Sequence, residues 1–156
     1  MILKGIDREQ WGSVAAYVDT LLLPISTVRL TGKMLQVDES LFIDELANDL
    51  EEKLRGRLLL LPAISYIGQN PEVFKPYINE IIKEMANSGF TYLILLADRA
   101  HAAIMEDLQE AFAEKTGLVI IKHTVEQGEQ EGREAHLEQA KDQLYQKVLE
   151  VWQNHA

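Results

Sequence analysis

The chain has 156 residues, of which 47% are hydrophobic and 26% charged, and it contains no cysteine. That length suits a single domain, 1–156, able to bury roughly two thirds of the surface its unfolded form exposes, and the composition is that of an ordinary globular protein. The missing cysteines exclude disulfides, thiolate zinc sites and thiol nucleophiles, and a formal net charge of −10 makes nucleic acid a poor partner.

The start, "MILKGIDREQWGS", brings charges at Lys4, Asp7 and Arg8 and lacks the long apolar core of a secretory signal. The longest apolar run, Leu58 to Ile64, contains Pro62 and is too short to span a bilayer, so a cytoplasmic protein with no membrane insertion is expected. "DREQWGSVAAYVD" reads as a first helix, and "DTLLLPISTV", Asp19 to Val28, as a first strand. The next helix, "DESLFIDELANDLEEKLR", sets Leu41, Glu45, Asn48, Glu51 and Glu52 among apolar Phe42, Leu46, Leu50 and Leu54 at helical spacing. A second strand follows in "RLLLLPAI". "NPEVFKPYINEIIKEMANS" then opens on Asn70 as N-cap with Pro71 in the first helical position, and Pro76 is expected to delay or kink its first turns.

"FTYLILLA" is the third strand, "DRAHAAIMEDLQEAFAEKT" the helix behind it, and "LVIIKHT" the fourth strand. The stretch from Glu126 to His136 reads as a loop or frayed helix start. A long last helix runs from about Glu129 to Asn154, with Leu137, Leu144 and Val151 recurring every seven residues beside Ala140, Val148 and Trp152. That apolar face is expected to cover the sheet; the alternative is a homodimer seam, although Lys147 at a second position breaks a strict coiled-coil pattern. Trp11 and Trp152, on the first and last helices, either pack near one another or are unrelated.

Three times a charged or polar helix end meets a glycine and then an apolar run: Gly56, Gly89 and Gly117. A left-handed residue closing each helix is expected there. The strands are nearly continuous in apolar residues, as strands covered on both faces must be. The expected fold class is therefore α/β: a three-layer sandwich with a mainly parallel sheet of about four strands, helices on both faces and a long C-terminal helix.

In such sheets ligands bind outside the carboxyl ends of the strands. That edge collects Pro24, Ser26, Thr27 and Arg29 after the first strand, and Pro62, Ser65, Tyr66 and Gln69 after the second. Asp98, Arg99 and His101 follow the third, and His123 and Thr124 the fourth. Asp98, His101 and His123 are the catalytic candidates, because imidazole and carboxylate together suit a metal or a general base. Asp98 is also an ideal N-cap for the helix that begins at Arg99, which would explain it by structure alone. Ser26, Thr27, Ser65, Tyr66 and Arg99 are the candidate ligand-binding residues. No His-x-His or His-Glu-x-x-His spacing, glycine-rich phosphate loop or G-x-S-x-G elbow is present, so neither a metal nor a cofactor is predicted.

The segments "AAYVDTLLLPI", Ala15 to Ile25, and "LEEKLRGRLLLLPAISYI", Leu50 to Ile67, resemble the YpiF-type family of spore-forming Firmicutes. The resemblance covers the first half of the chain well and the second half in the order of its elements. It implies a fold and a cellular setting, since that family carries no assigned activity. A more distant similarity, through strands ending in "LP" and the "LLLLPAISYIG" run, is to creatininase-like amidohydrolases. Those enzymes carry a Glu- and His-rich metal motif after the first strand and Asn-Gly-His-Gly-Gly-Asn after a later one. Here "LPISTVRLTG" has neither Glu nor His, and "ADRAHAA" keeps only His101, displaced, so the resemblance implies a metal site mostly lost. The expected role is non-enzymatic, either binding a small molecule at the strand ends or binding a protein through the helices. A metal-assisted amidohydrolase using Asp98, His101 and His123 is the rival.

Overall fold

The computed structural model describes residues 1–108, 111–126 and 132–155. Helix α1 spans Arg8–Val14, with Asp7 accepting from the Glu9 amide, and a 3-10 turn over Ala15–Tyr17 leads into strand β1, Thr20–Thr27. A short antiparallel hairpin follows, β2 (Arg29–Thr31) and β3 (Met34–Gln36), before helix α2, Asp38–Lys53. Strands β4 (Leu58–Leu60) and β5 (Ile64–Tyr66) precede helix α3, Pro71–Ala86, which Asn70 caps by accepting from the Glu72 amide. Strand β6 spans Tyr92–Asp98. A 3-10 turn, Arg99–His101, then opens the short helices α4 (Ala102–Glu106) and α5 (Ala111–Thr116). Strand β7 (Val119–Val125) and helix α6 (Arg133–Asn154) complete the described elements.

The sheet is parallel, in the order β4-β1-β6-β7, with β5 continuing beside β1 where β4 stops. Alternate residues of its central strands feed two cores. Leu22, Tyr92, Ile94 and Leu96 pack against α2 and α6, whereas Leu21, Leu23, Leu93 and Leu95 pack against α3, α4 and α5, with α1 at the rim. This is the expected three-layer α/β sandwich. Every residue of β1 and β6 is buried, which explains why both read as unbroken apolar runs rather than as alternating patterns. The apolar face of α6 (Ala140, Leu144, Val148 and Trp152) is buried on the sheet and α2, so the homodimer seam considered for that face is occupied by the chain's own core.

Three expectations need correction, one element was not foreseen, and the open question of the two tryptophans is answered. The second strand is two strands: Leu22 pairs with Leu60 and Ile25 with Ile64, so three residues on one side face two on the other. The Leu22 carbonyl accepts from the Leu61 amide, which directs residues 22 and 24 of β1 toward this neighbour. Pro24, having no N–H to give, falls where the partner strand breaks, and that is why a proline is tolerated in a central strand. The hairpin β2–β3 was not expected at all. Its turn sets Gly32 and Lys33 at φ 61° and 62°, the pair of left-handed residues that a two-residue hairpin loop requires.

Gly89 and Gly117 close their helices in the left-handed region as expected, but Gly56 does not. The end of α2 is instead closed by hydrogen bonds from the Leu54, Arg57 and Leu58 amides to Leu50, Glu51 and Leu54. The helix expected over Asp98 to Thr116 is interrupted, its first part ending where the Asp107 amide bonds the Ile104 carbonyl. Finally, Trp11 and Trp152 lie on opposite faces of the sheet. Trp11 stacks on Phe90, while the Trp152 indole N–H donates to Thr20 at 3.1 Å beneath the Arg57 guanidinium, 3.8 Å from its ring. The expected start of the last helix, near Glu129, lies outside the described residues; within them it begins at Arg133.

Candidate functional site

The carboxyl edge of the sheet is organised around Asp98, the last residue of β6. Its carboxylate is 2% exposed and holds two backbone amides, one on each side of the strand crossing. One oxygen accepts from Ala100 at 2.9 Å, which caps the 3-10 turn, and the other accepts from Thr27 at 3.0 Å, which fixes the end of β1. A carboxylate shared by two amides is a strong tie because both bonds are charge-assisted and the one to Thr27 is buried. Asp98 is therefore the cap that the sequence predicted and also a clamp between two strand ends.

His101 follows one turn later and is 4% exposed. Its Nε2 lies 2.9 Å from the Thr27 hydroxyl, and its ring packs 5.0 Å from Phe74 and 6.1 Å from Tyr66. Burial among these rings holds the imidazole below its ordinary pKa; the Asp98 charge opposes that shift and Arg29 adds to it. A neutral His101 shares one proton with Thr27, each group a donor or acceptor according to the tautomer.

The other expected residues are arranged differently. Ser26 is buried and accepts from Ser40 of α2 at 3.3 Å, while Ser65 is exposed opposite it in the register. Tyr66 stacks on Phe74 at 4.3 Å, and its hydroxyl both donates to the Asn70 carbonyl at 2.7 Å and accepts from the Asn70 amide at 2.9 Å. Gly68 is required beneath it, because a Cβ at that position would fall 2.7 Å from the Tyr66 hydroxyl. Arg99 reaches across to an ion pair with Glu126 beyond the end of β7.

His123 is set by its register. It pairs with Leu96, whose side chain belongs to the core under α2 and α6, and its Nδ1 lies 3.4 Å from Lys147 of α6. Burial first, and the Lys147 charge second, push its pKa down to about 4. His101 lies against Phe74 in the opposite core. The two histidines expected to converge thus occupy opposite faces of the sheet, because residues at the ends of neighbouring strands share an edge without sharing a side. Among the described residues, no three His, Asp or Glu side chains are grouped to hold a metal ion.

A cleft of about 400 Å³ opens over Thr27 and Ala100 at this same edge. Arg29, Met34, Leu35 and Gln36 of the hairpin form one wall, and Asp38 and Glu39 at the start of α2 form another. The Glu39 carboxyl is pushed above its ordinary pKa, by burial first and then by the Asp98 charge, with Arg29 opposing. The cleft thus presents a guanidinium, two carboxylates and an amide over a floor tied to the Asp98–Thr27–His101 cluster. The residues Gln36, Asp38 and Glu39 were not expected there. The sequence signal for them was the Gly32-Lys33 turn, which brings the chain back to the edge it had just left.

A family model described as a protein of unknown function (DUF2487) matches residues 9–152. The uncharacterized protein YpiF of Bacillus subtilis (strain 168) is 25% identical over 91 residues, 58% of this chain and 60% of that protein. Among solved structures, a mutant creatininase superimposes with a TM-score of 0.59 at 15% identity, covering 79% of this chain and 58% of that one. A creatininase described with Mn gives 0.55 at 15% identity, covering 79% and 57%. The chain therefore spans well under two thirds of the proteins it matches. At such identity the likeness to creatininase is one of fold. Among the described residues manganese finds no matching donor set, because Asp98 and His101 are already engaged with Thr27 and His123 lies on the far face.

Proposed function

Because the chain belongs to the DUF2487 family, whose description names no activity, we propose from its own geometry that it is a binding protein for a small polar molecule. The ligand sits in the cleft over Thr27 and Ala100. The observation that carries this reading is the cleft itself: it lies where open parallel sheets bind ligands, and it is lined by opposed charges on two separate elements. Arg29 pairs with an anionic or acceptor group of the ligand, Asp38 and Glu39 with its donors, and the buried Asp98 clamp keeps the floor rigid.

The amidohydrolase reading asks His101, His123 and Asp98 to act on one centre. Their placement on opposite faces favours binding without turnover. A thermal-shift screen of small polar metabolites tests the proposal. Wild-type protein is expected to be stabilised by at least one compound, and the gain is expected to vanish in Arg29→Ala and Glu39→Gln. Turnover of an amide or ester substrate that His101→Ala abolishes would overturn it.

A further inference from the structure

We propose that the cleft over Thr27 and Ala100 takes a free α-amino acid with an apolar side chain, its carboxylate held by the β2–β3 hairpin and its ammonium by the start of α2. Resting on the binding role proposed above, the ligand class follows from how the two walls are built. The register of the hairpin decides the first wall. Arg29 pairs with Gln36 and Thr31 with Met34, so Arg29, Met34 and Gln36 share one face of the ribbon, and all three line the cleft. Arg29 and Gln36, directly opposite each other, bring a guanidinium and an amide to where both can donate to one carboxylate. Met34 stands on the same face and is 67% exposed. An apolar ligand group laid against it covers that surface, and the unbranched thioether adapts to more than one side-chain shape.

The second wall is acidic, with Asp38 and Glu39 on the first turn of α2. Arg29 is near enough for its charge to act on the Glu39 carboxyl, yet among the described residues no ion pair joins it to Glu39 or to Asp38. The two signs of charge therefore face the same cleft without neutralising one another, which suits a ligand that carries both. Partial burial first and the Asp98 charge second hold the Glu39 carboxyl above its ordinary pKa, with Arg29 opposing and Asp38 adding. What this wall lacks is a cation, and an ammonium supplies it. A phosphate would meet two carboxylates there, and a volume of about 400 Å³ lies at the small end of ligand sites, which disfavours nucleotides.

Amide NMR titration of the full chain at neutral pH is the test, with L-leucine, isocaproate (leucine without its ammonium) and isopentylamine (leucine without its carboxylate). L-Leucine is expected to bind with a Kd below about 1 mM, and each analogue that keeps one charge at least about tenfold more weakly. Arg29→Ala is expected to weaken L-leucine at least about tenfold without weakening isopentylamine, and Glu39→Gln to weaken L-leucine by as much without weakening isocaproate. Both residues are exposed, so the fold is expected to survive either change with its urea midpoint unmoved. Analogues that bind as tightly as L-leucine would overturn the proposal, as would an L-leucine affinity indifferent to both substitutions. If L-leucine fails to bind below about 1 mM while another polar compound stabilises the protein through Arg29 and Glu39, the amino-acid assignment falls and the binding cleft stands. If no compound of any class binds at this edge, both fall.

Discussion

Replacing Asp98 with alanine removes the acceptor of two amides, the buried one of Thr27 and the partly buried one of Ala100. If Asp98 were only a helix cap, the loss would be about 1 kcal/mol. The structure adds the Thr27 amide at 3.0 Å to the Ala100 amide at 2.9 Å, around a carboxylate that is 2% exposed. The Thr27 amide left without an acceptor in a buried site costs about 1–3 kcal/mol and the lost cap about 1 kcal/mol more, so Asp98→Ala is expected to lose about 3 kcal/mol. Asp98→Asn, which keeps one carbonyl oxygen, is expected to lose about half of that. Urea denaturation at neutral pH measures both, and a shifted midpoint at constant slope shows that the native fold is retained. A loss of about 1 kcal/mol or less in the alanine variant would refute the clamp and leave only the cap.

Acid sensitivity follows from His123. Its folded pKa of about 4 lies below the ordinary 6.5, so below pH 6.5 the unfolded chain binds a proton that the folded chain does not. Stability then rises with pH between these values, and lowering the pH from 7 to 5 is expected to cost about 2 kcal/mol through this residue alone. His123→Gln is expected to flatten the dependence by that amount in urea titrations at the two pH values; an unchanged slope would contradict the buried placement. Glu51 adds a second acid-sensitive group: burial raises its pKa, but the Arg55 bonds and the Met1 ammonium outweigh burial and hold it below the ordinary value. Its contribution is present above the unfolded carboxyl pKa and is lost as pH falls through the folded one, so Glu51→Gln is expected to remove part of the loss seen below pH 4.5. Thr27→Val keeps the shape of the β1 end but strands the His101 Nε2, at an expected cost of about 1–3 kcal/mol, read as a lowered urea midpoint. Leu144→Ala empties a fully packed position under α6 and is expected to cost about 2–5 kcal/mol, far more than a residue on a dimer seam of a folded monomer would.

The layers of this fold were legible because burial on both faces leaves a mark in the sequence: β1 and β6 are apolar at every position, and glycines at 89 and 117 end the helices before their strands. What remained hidden depended on contacts distant in sequence. Nothing in the local sequence marked Glu51 as buried, yet it is, with Arg55 and the Met1 ammonium meeting its carboxylate. The break between β4 and β5 falls at Pro62, beside Pro24 of β1, but the local run "RLLLLPAI" did not show that pairing with β1 resumes at Ile64.

The candidate site was legible to the same degree. Chain order put Asp98, His101 and Thr27 at one edge, and they do meet. Chain order could not tell which face of the sheet a strand-end side chain takes, and His123, in register with Leu96, takes the other. Tyr66 and Arg99 reach that edge too, but they are engaged by Asn70 and by Glu126. Gln36, Asp38 and Glu39 enter the cleft only through the hairpin, an element of two three-residue strands too short to show a period.

The most direct test of the account is a two-dimensional amide NMR titration of the intact protein with the compound that stabilises it most in the thermal screen. The account predicts that the backbone signals of Thr27, Arg29, Glu39 and Ala100 shift together and saturably, while those around His123 and Lys147 stay in place. Shifts confined to the hollow formed by Ala113, Gly117 and His155 at the opposite edge, or centred on His123, would contradict it.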